Sequence, residues 1–189
     1  PSTTGSSGHG ILVPFVQQYG RLFYPAVVLI GITGVLTSLY PHHSLAPSDI
    51  LGIWIAGMSI ATIAAVIVFS RTTVQPVPAI RLSAFLMAGG VIVSFFIPAG
   101  LLIIGAVAGV VMIAQMALLA SETGHQGVVM GLFATTSYLG MAILPAAAGF
   151  IAGGMGFFAA FGACVFASLS VVGTIGRCSC MPHEKIRGQ

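Results

Sequence analysis

The chain alternates long apolar blocks with short polar interruptions. Apolar runs fall at about residues 22–40, 50–70, 82–97, 101–120, 127–151 and 157–175. Between them stand PHHSLAPSD, RTTVQPVPAIR, a Pro-Ala-Gly turn at 98–100, SETGHQ and a glycine-rich turn at 153–156. About 20 apolar residues of α-helix cross the hydrocarbon of a bilayer. Backbone placed there must satisfy its own hydrogen bonds, which a helix does within one segment. The pattern therefore predicts an all-α transmembrane fold of six spans. The third is the shortest, and Pro78 to Arg81 are expected to carry it to the interface.

Local signals sharpen the boundaries. Pro25 stands near the first turn of the first span, where its missing N–H does no harm, and Tyr24 and Tyr40 fall at the two interfaces. Ser48 and Asp49 are expected to cap the second span, with Trp54 close to the interface just left. Pro145 is expected to kink the fifth span and free a carbonyl for neighbouring helices. Gly153, Gly154 and Gly156 turn the chain into the sixth. Gly105 and Gly109, Gly127 and Gly131, and Gly149 and Gly153 are small-xxx-small pairs, the spacing that lets membrane helices approach closely.

The flanks differ. Residues 1–10 are mainly Ser, Thr and Gly, too polar to order themselves by burial. Residues 11–21 are too short to span and are expected in the headgroup region or as a ragged helix start. This divides the chain into a linker and interfacial segment at 1–20, a bundle at 21–177 and a polar tail at 178–189. No charged n-region precedes a short apolar core, so no signal peptide is expected, and the chain reads as beginning in mid-protein.

Composition fixes the solvent. Hydrophobic residues make up 57% and charged residues 5%, against about a quarter charged in a soluble domain. Such a chain cannot cover a surface facing water, and its partner is the lipid bilayer. The net charge of +3 comes from scattered basic residues without a cluster or aromatic interleaving, which excludes nucleic acid. Cys164 lies inside an apolar block and Cys178 and Cys180 beyond the last one, so all three read as free thiols.

With six crossings, Arg21, Arg71, Arg81, Arg177, Lys185 and Arg187 all fall on the side of the two termini. Those are the six basic residues of the chain. The positive-inside rule makes that side the cytoplasm, with both termini in it.

No ionisable residue lies in the middle of a span, so the segment shows no proton relay. Any coupling carboxylate is expected outside it. The polar groups at membrane depth are neutral: Thr33, Thr37, Ser59, Thr62, Ser94, Gln115, Thr135, Thr136, Ser137 and Tyr138. Hydroxyls there usually bond back to their own helix or to a neighbour. Gln115 differs, since its amide brings two donors and an acceptor that need partners. His42 and His43 read as solvated loop histidines and not as a metal site. Cys178, Cys180 and His183 read as an unmodified cytoplasmic group. There is no nucleophile with a base, no phosphate loop and no ligand set, so no catalytic residue, metal or cofactor is expected, and the chain is not read as an enzyme.

From the fourth to the sixth span, the stretch GAVAGVVMIAQMALLASETGHQGVVMGLFATTSYLGMAILPAAAGFIAGGMGFFAAF resembles the tenth to twelfth helices of a major facilitator superfamily transporter. It has a Gly-rich helix, a short loop ending in small residues, then a helix with Gly140, Pro145 and Gly149 before a glycine turn. The likeness extends more loosely over about residues 20–177. The loop from Arg71 to Arg81 has the basic ends of the family's cytoplasmic loop motif but lacks its Gly and Asp.

The resemblance implies a bundle built of two inverted three-helix repeats, with a solute cavity at the interface with an N-terminal half absent from this chain. By that analogy the first, second, fourth and fifth spans line the cavity. Thr33, Trp54, Gln115 and Thr136 are then the candidate substrate-binding residues. The expected function is half of a secondary active transporter that moves a small neutral or amphipathic solute by alternating access. The alternative is a self-contained six-helix membrane protein, either a homodimeric carrier or a structural subunit.

Overall fold

In the computed structural model the described residues are 9–44, 46–72, 75–120 and 126–175. Among them are six α-helices and no strand: α1 (His9–His43), α2 (Ser48–Ser70), α3 (Pro76–Phe96), α4 (Gly100–Ala120), α5 (Gln126–Met155) and α6 (Phe157–Ile175). Each contains a stretch long and apolar enough to cross a membrane. The chain is an integral multi-pass membrane protein. Arg177, Lys185, Arg187 and the tail thiols Cys178 and Cys180 lie outside the described residues.

Several boundaries differ from the expectation, each for a local reason. Residues 11–21 take the helix-start alternative as part of α1, and the helix begins earlier than expected, at His9. Helix α3 starts at Pro76, not near residue 82, because Pro76 and Pro78 suit a first turn whose N–H groups have no helical acceptor. Ser48 and Asp49 do not cap α2. The N-cap is Pro47, with no side-chain cap bond, and its carbonyl accepts the Leu51 N–H at 3.1 Å. Asp49 sits in the first turn, where a carboxylate meets the positive end of the helix dipole.

Of the three glycines expected to make the last turn, Gly153 and Gly154 are helical and Gly156 alone turns the chain. Its φ is +86°, a conformation that favours glycine. Its N–H closes α5 on the Ala152 carbonyl at 3.0 Å.

The helices pack out of sequence order. Helix α1 lies along α5, α2 along α4, and α3 against both α4 and α6. Helix α1 is central, with 67% of its most apolar stretch buried, whereas α2 is peripheral, with 17%. Leu29, Ile32, Val35 and Leu36 of α1 are essentially inaccessible.

Two crossings are backbone-close. A Cβ on Gly105 of α4 would overlap the Met58 carbonyl oxygen of α2, and one on Gly109 would come within 2.5 Å of the Thr62 carbonyl oxygen. On the other side, a Cβ on Gly140 of α5 would come within 2.5 Å of the Val27 carbonyl oxygen of α1, and one on Gly31 within 3.0 Å of the Gly140 carbonyl oxygen. With no hydrophobic force between helices in lipid, such close approach supplies the attraction.

Of the three expected small-xxx-small pairs, only Gly105 and Gly109 mark a crossing. Nothing among the described residues lies within 4 Å of a Cβ built on Gly127, Gly131, Gly149 or Gly153, because those glycines face outward from α5. Pro145 sits inside α5 and, having no N–H to donate, leaves the Met141 carbonyl without its helical donor. Gly34 of α1 packs against that freed oxygen, its built Cβ only 3.3 Å away.

Hydroxyls tie further pairs. Thr62 shares its proton between the Met58 carbonyl on its own helix and the Gly105 carbonyl on α4, both at 2.9 Å. Ser168, fully buried on α6, donates to the Ala84 carbonyl of α3 at 2.8 Å. Interhelical hydrogen bonds of this kind average about 0.6 kcal/mol in membranes, with about 1.7 as the upper end. Thr62→Val keeps the shape and loses the bond. It is expected to weaken the α2–α4 crossing by about 0.6 kcal/mol, read as a small downward shift of the unfolding midpoint in mixed micelles. A loss of several kcal/mol would mean that the hydroxyl does more than bridge two carbonyls.

Candidate functional site

Most polar side chains at membrane depth are satisfied within one helix. Thr33 donates to the Ile30 carbonyl at 2.6 Å, Ser94 to Val91 at 2.8 Å and Thr135 to Gly131 at 2.9 Å. Thr136 donates to the Leu132 and Phe133 carbonyls at 2.9 and 3.0 Å. Each lies three or four residues after its acceptor, the usual back-bond of a membrane helix. Thr33 and Thr136 therefore hold no unspent donor for a solute.

Gln115 stands apart. It is 3% exposed, and among the described residues neither Nε2 nor Oε1 has a hydrogen-bond partner. It sits five residues before the end of α4 against Phe23 of α1, Leu119 of α4 and Phe133 of α5, which leave no room for even a water molecule beside it. These residues belong to a second hydrophobic cluster with Ala26 and Val129, away from the main core. Ser137, one turn beyond Phe133 and 8% exposed, likewise has no partner for its Oγ. A buried amide without partners costs about 1–3 kcal/mol. Gln115 is thus a polar group set in an apolar wall at a three-helix junction.

Trp54 lies elsewhere. It is half-buried at the opposite end of the bundle, in a pocket of about 270 Å³ that it lines with Tyr40, His43, Phe95 and Phe96. The four predicted residues therefore do not meet in one cavity: Gln115 and Trp54 mark two separate places, and Thr33 and Thr136 are occupied by their own backbones.

His43 corrects the expectation of a solvated loop histidine. Its imidazole stacks on Phe95 with ring centroids 4.7 Å apart and planes at 22°, and Phe157 and Phe161 tilt against it at 5.5 and 5.3 Å. Its Nε2 lies 3.3 Å from the Phe95 carbonyl oxygen. The cause is that α1 continues through His43, which swings the ring over the ends of α3 and α6. His42 next to it is exposed.

Sequence reading also missed Tyr24 and Ser170, which join α1 to α6 at 2.6 Å. Ser170 already donates to the Ala167 carbonyl, so the Tyr24 hydroxyl is the donor of that pair. Tyr138 is the converse case: it stands near the middle of α5, 72% exposed.

Among the described residues no group of three or more His, Cys, Asp or Glu side chains gathers as a metal site. What the buried end offers is recognition by neutral hydrogen bonds. An amide presents donors and an acceptor together, which suits a solute carrying both kinds of group and no net charge. No protein-family model, no curated protein and no solved structure matches the chain.

Proposed function

We propose that the chain forms one six-helix half of a secondary transporter of the major facilitator kind, moving a small neutral or amphipathic solute by alternating access. The observation that carries this reading is Gln115: a buried, unpartnered amide at the junction of α1, α4 and α5. In this reading the solute supplies the partner that the described residues withhold, once alternating access opens the junction. The middles of the spans offer no charge, so the solute is recognised by hydrogen bonds and apolar contact.

Two further observations support it. Exchanging α1 with α4, α2 with α5 and α3 with α6 carries the α1–α5 crossing onto the α4–α2 crossing. In both, glycines of the first helix of one triplet meet the middle helix of the other, a pairing that suits two inverted three-helix repeats. In addition, Tyr138 shows its hydroxyl on an open face of α5 near mid-span, a poor neighbour for lipid tails. A second six-helix unit, either an N-terminal half or another copy, covers that face in this reading. Both termini lie in the cytoplasm by the placement of the basic residues.

The test is uptake of labelled neutral solutes into proteoliposomes holding the chain with its second unit. A transported solute is expected to lose about tenfold in rate with Gln115→Leu, as befits about 1.4 kcal/mol of lost hydrogen bonding. Unchanged uptake by that variant sinks the assignment. Tyr138→Cys separates the two partners. A disulfide between identical chains points to a second copy, and none in the presence of an N-terminal half points to that half.

A further inference from the structure

The end of the bundle remote from Gln115 carries a different chemistry. Five aromatic rings line its pocket of about 270 Å³: Tyr40 and His43 from α1, Trp54 from α2, and Phe95 and Phe96 from α3. The wall is braced by edge contacts of Phe95 with Phe96, Phe158 and Phe161 at 5.3, 5.9 and 5.4 Å. The loops of this end, at 41–49, 97–100 and 156, contain no Lys or Arg, and Asp49 is their one carboxylate. Asp49 is exposed in the first turn of α2, the turn that also gives Ile50 and Leu51 to the pocket.

We propose that this pocket binds an organic cation of the quaternary-ammonium class. Aromatic faces carry partial negative charge and attract a poorly hydrated cation, for which Trp is the best of them. An inorganic ion needs a shell of oxygen ligands, and no carboxylate lines the pocket. An anion meets no Lys or Arg at this end and faces Asp49 at the rim. The volume falls just below the usual range of about 300–1,000 Å³ for ligand sites, so the fitting group is small, a trimethylammonium head with one substituent. Such a head is carried by free solutes and by choline lipids alike, and Trp and Tyr belong to the interfacial depth where choline headgroups lie.

Trp54 is the chain's one tryptophan, so its emission reports on this pocket alone. The purified full chain in detergent is titrated with phenyltrimethylammonium and, separately, with tert-butylbenzene, which replaces the charged nitrogen by carbon. A saturable change with the cation is expected, with the neutral isostere bound about threefold to thirtyfold more weakly. Asp49→Asn, which alters an exposed rim residue and leaves the rings in place, is expected to weaken the cation about twofold to fivefold at low salt.

Equal affinity for cation and isostere, or no saturable response, overturns the proposal. Repeating the titration in nanodiscs of phosphatidylcholine and of phosphatidylethanolamine, both uncharged overall, separates the sources. A weaker apparent affinity in phosphatidylcholine identifies the headgroup as the occupant, and equal values identify a free solute.

Discussion

Gln115→Leu is expected to raise the stability of the bundle by about 1–3 kcal/mol, the cost of leaving a buried polar group without partners. The two side chains are close in volume, and the wall around position 115 is Phe23, Leu119 and Phe133, which leucine contacts without a desolvation penalty. The lower half of that range is expected in a bilayer, because the amide also finds partners in the separated-helix state. Thermal unfolding in detergent, followed for the variant and the wild type side by side, reads the sign directly. Together with a loss of uptake this gives opposite movements of stability and activity, the signature of a residue kept for function. A clear fall in stability would show instead that the amide is a structural hydrogen-bonding group, and the solute-recognition role would go.

The second large effect lies at the glycine crossings. Gly105→Ala places a methyl on the Met58 carbonyl oxygen, a rigid backbone atom, so α2 and α4 must separate. Overpacking of this kind costs about 1–3 kcal/mol, and sometimes more. Gly140→Ala is expected to act alike on α1 and α5, since its Cβ would meet the Val27 carbonyl oxygen at 2.5 Å. Gly149→Ala is the internal control. Nothing stands near its Cβ, and removing a mid-helix glycine gains up to about 1 kcal/mol of helix propensity. Midpoints of unfolding in mixed micelles are expected to fall for positions 105 and 140 and to hold or rise for 149. If all three fell equally, close backbone approach would not be what joins these helices.

The six spans were legible because hydrocarbon imposes one rule on every block: about 20 apolar residues closing their own hydrogen bonds. Which glycines mark crossings was not legible. Gly105 and Gly149 stand in the same small-xxx-small spacing, and the difference between them is set by which face α4 and α5 turn toward a partner helix. Gly31, Gly34 and Gly140 escaped because none has a second glycine four residues away, yet they line the α1–α5 contact. Gln115 was marked by its amide chemistry alone, and the structure adds that nothing among the described residues answers it. His43 was misread because a histidine after Tyr40 and Pro41 reads as loop. Its aromatic neighbours come from helices α3 and α6, more than 50 residues away, and no local pattern announces them. Thr33 and Thr136 followed from a cavity analogy, while their donors are consumed at distances of 2.6–3.0 Å by their own helices.

The out-of-order pairing of the helices has a consequence for biogenesis. The neighbour along which α1 lies is α5, and that of α2 is α4, so α1 and α2, which leave the ribosome before those partners, touch each other only at their connected ends. They must wait in the lipid, glycine backbones uncovered, until the fourth and fifth have been threaded in. A nascent product ending before Gly140 would leave α1 without its main companion, and such truncated chains are expected to be removed by membrane proteases rather than to accumulate.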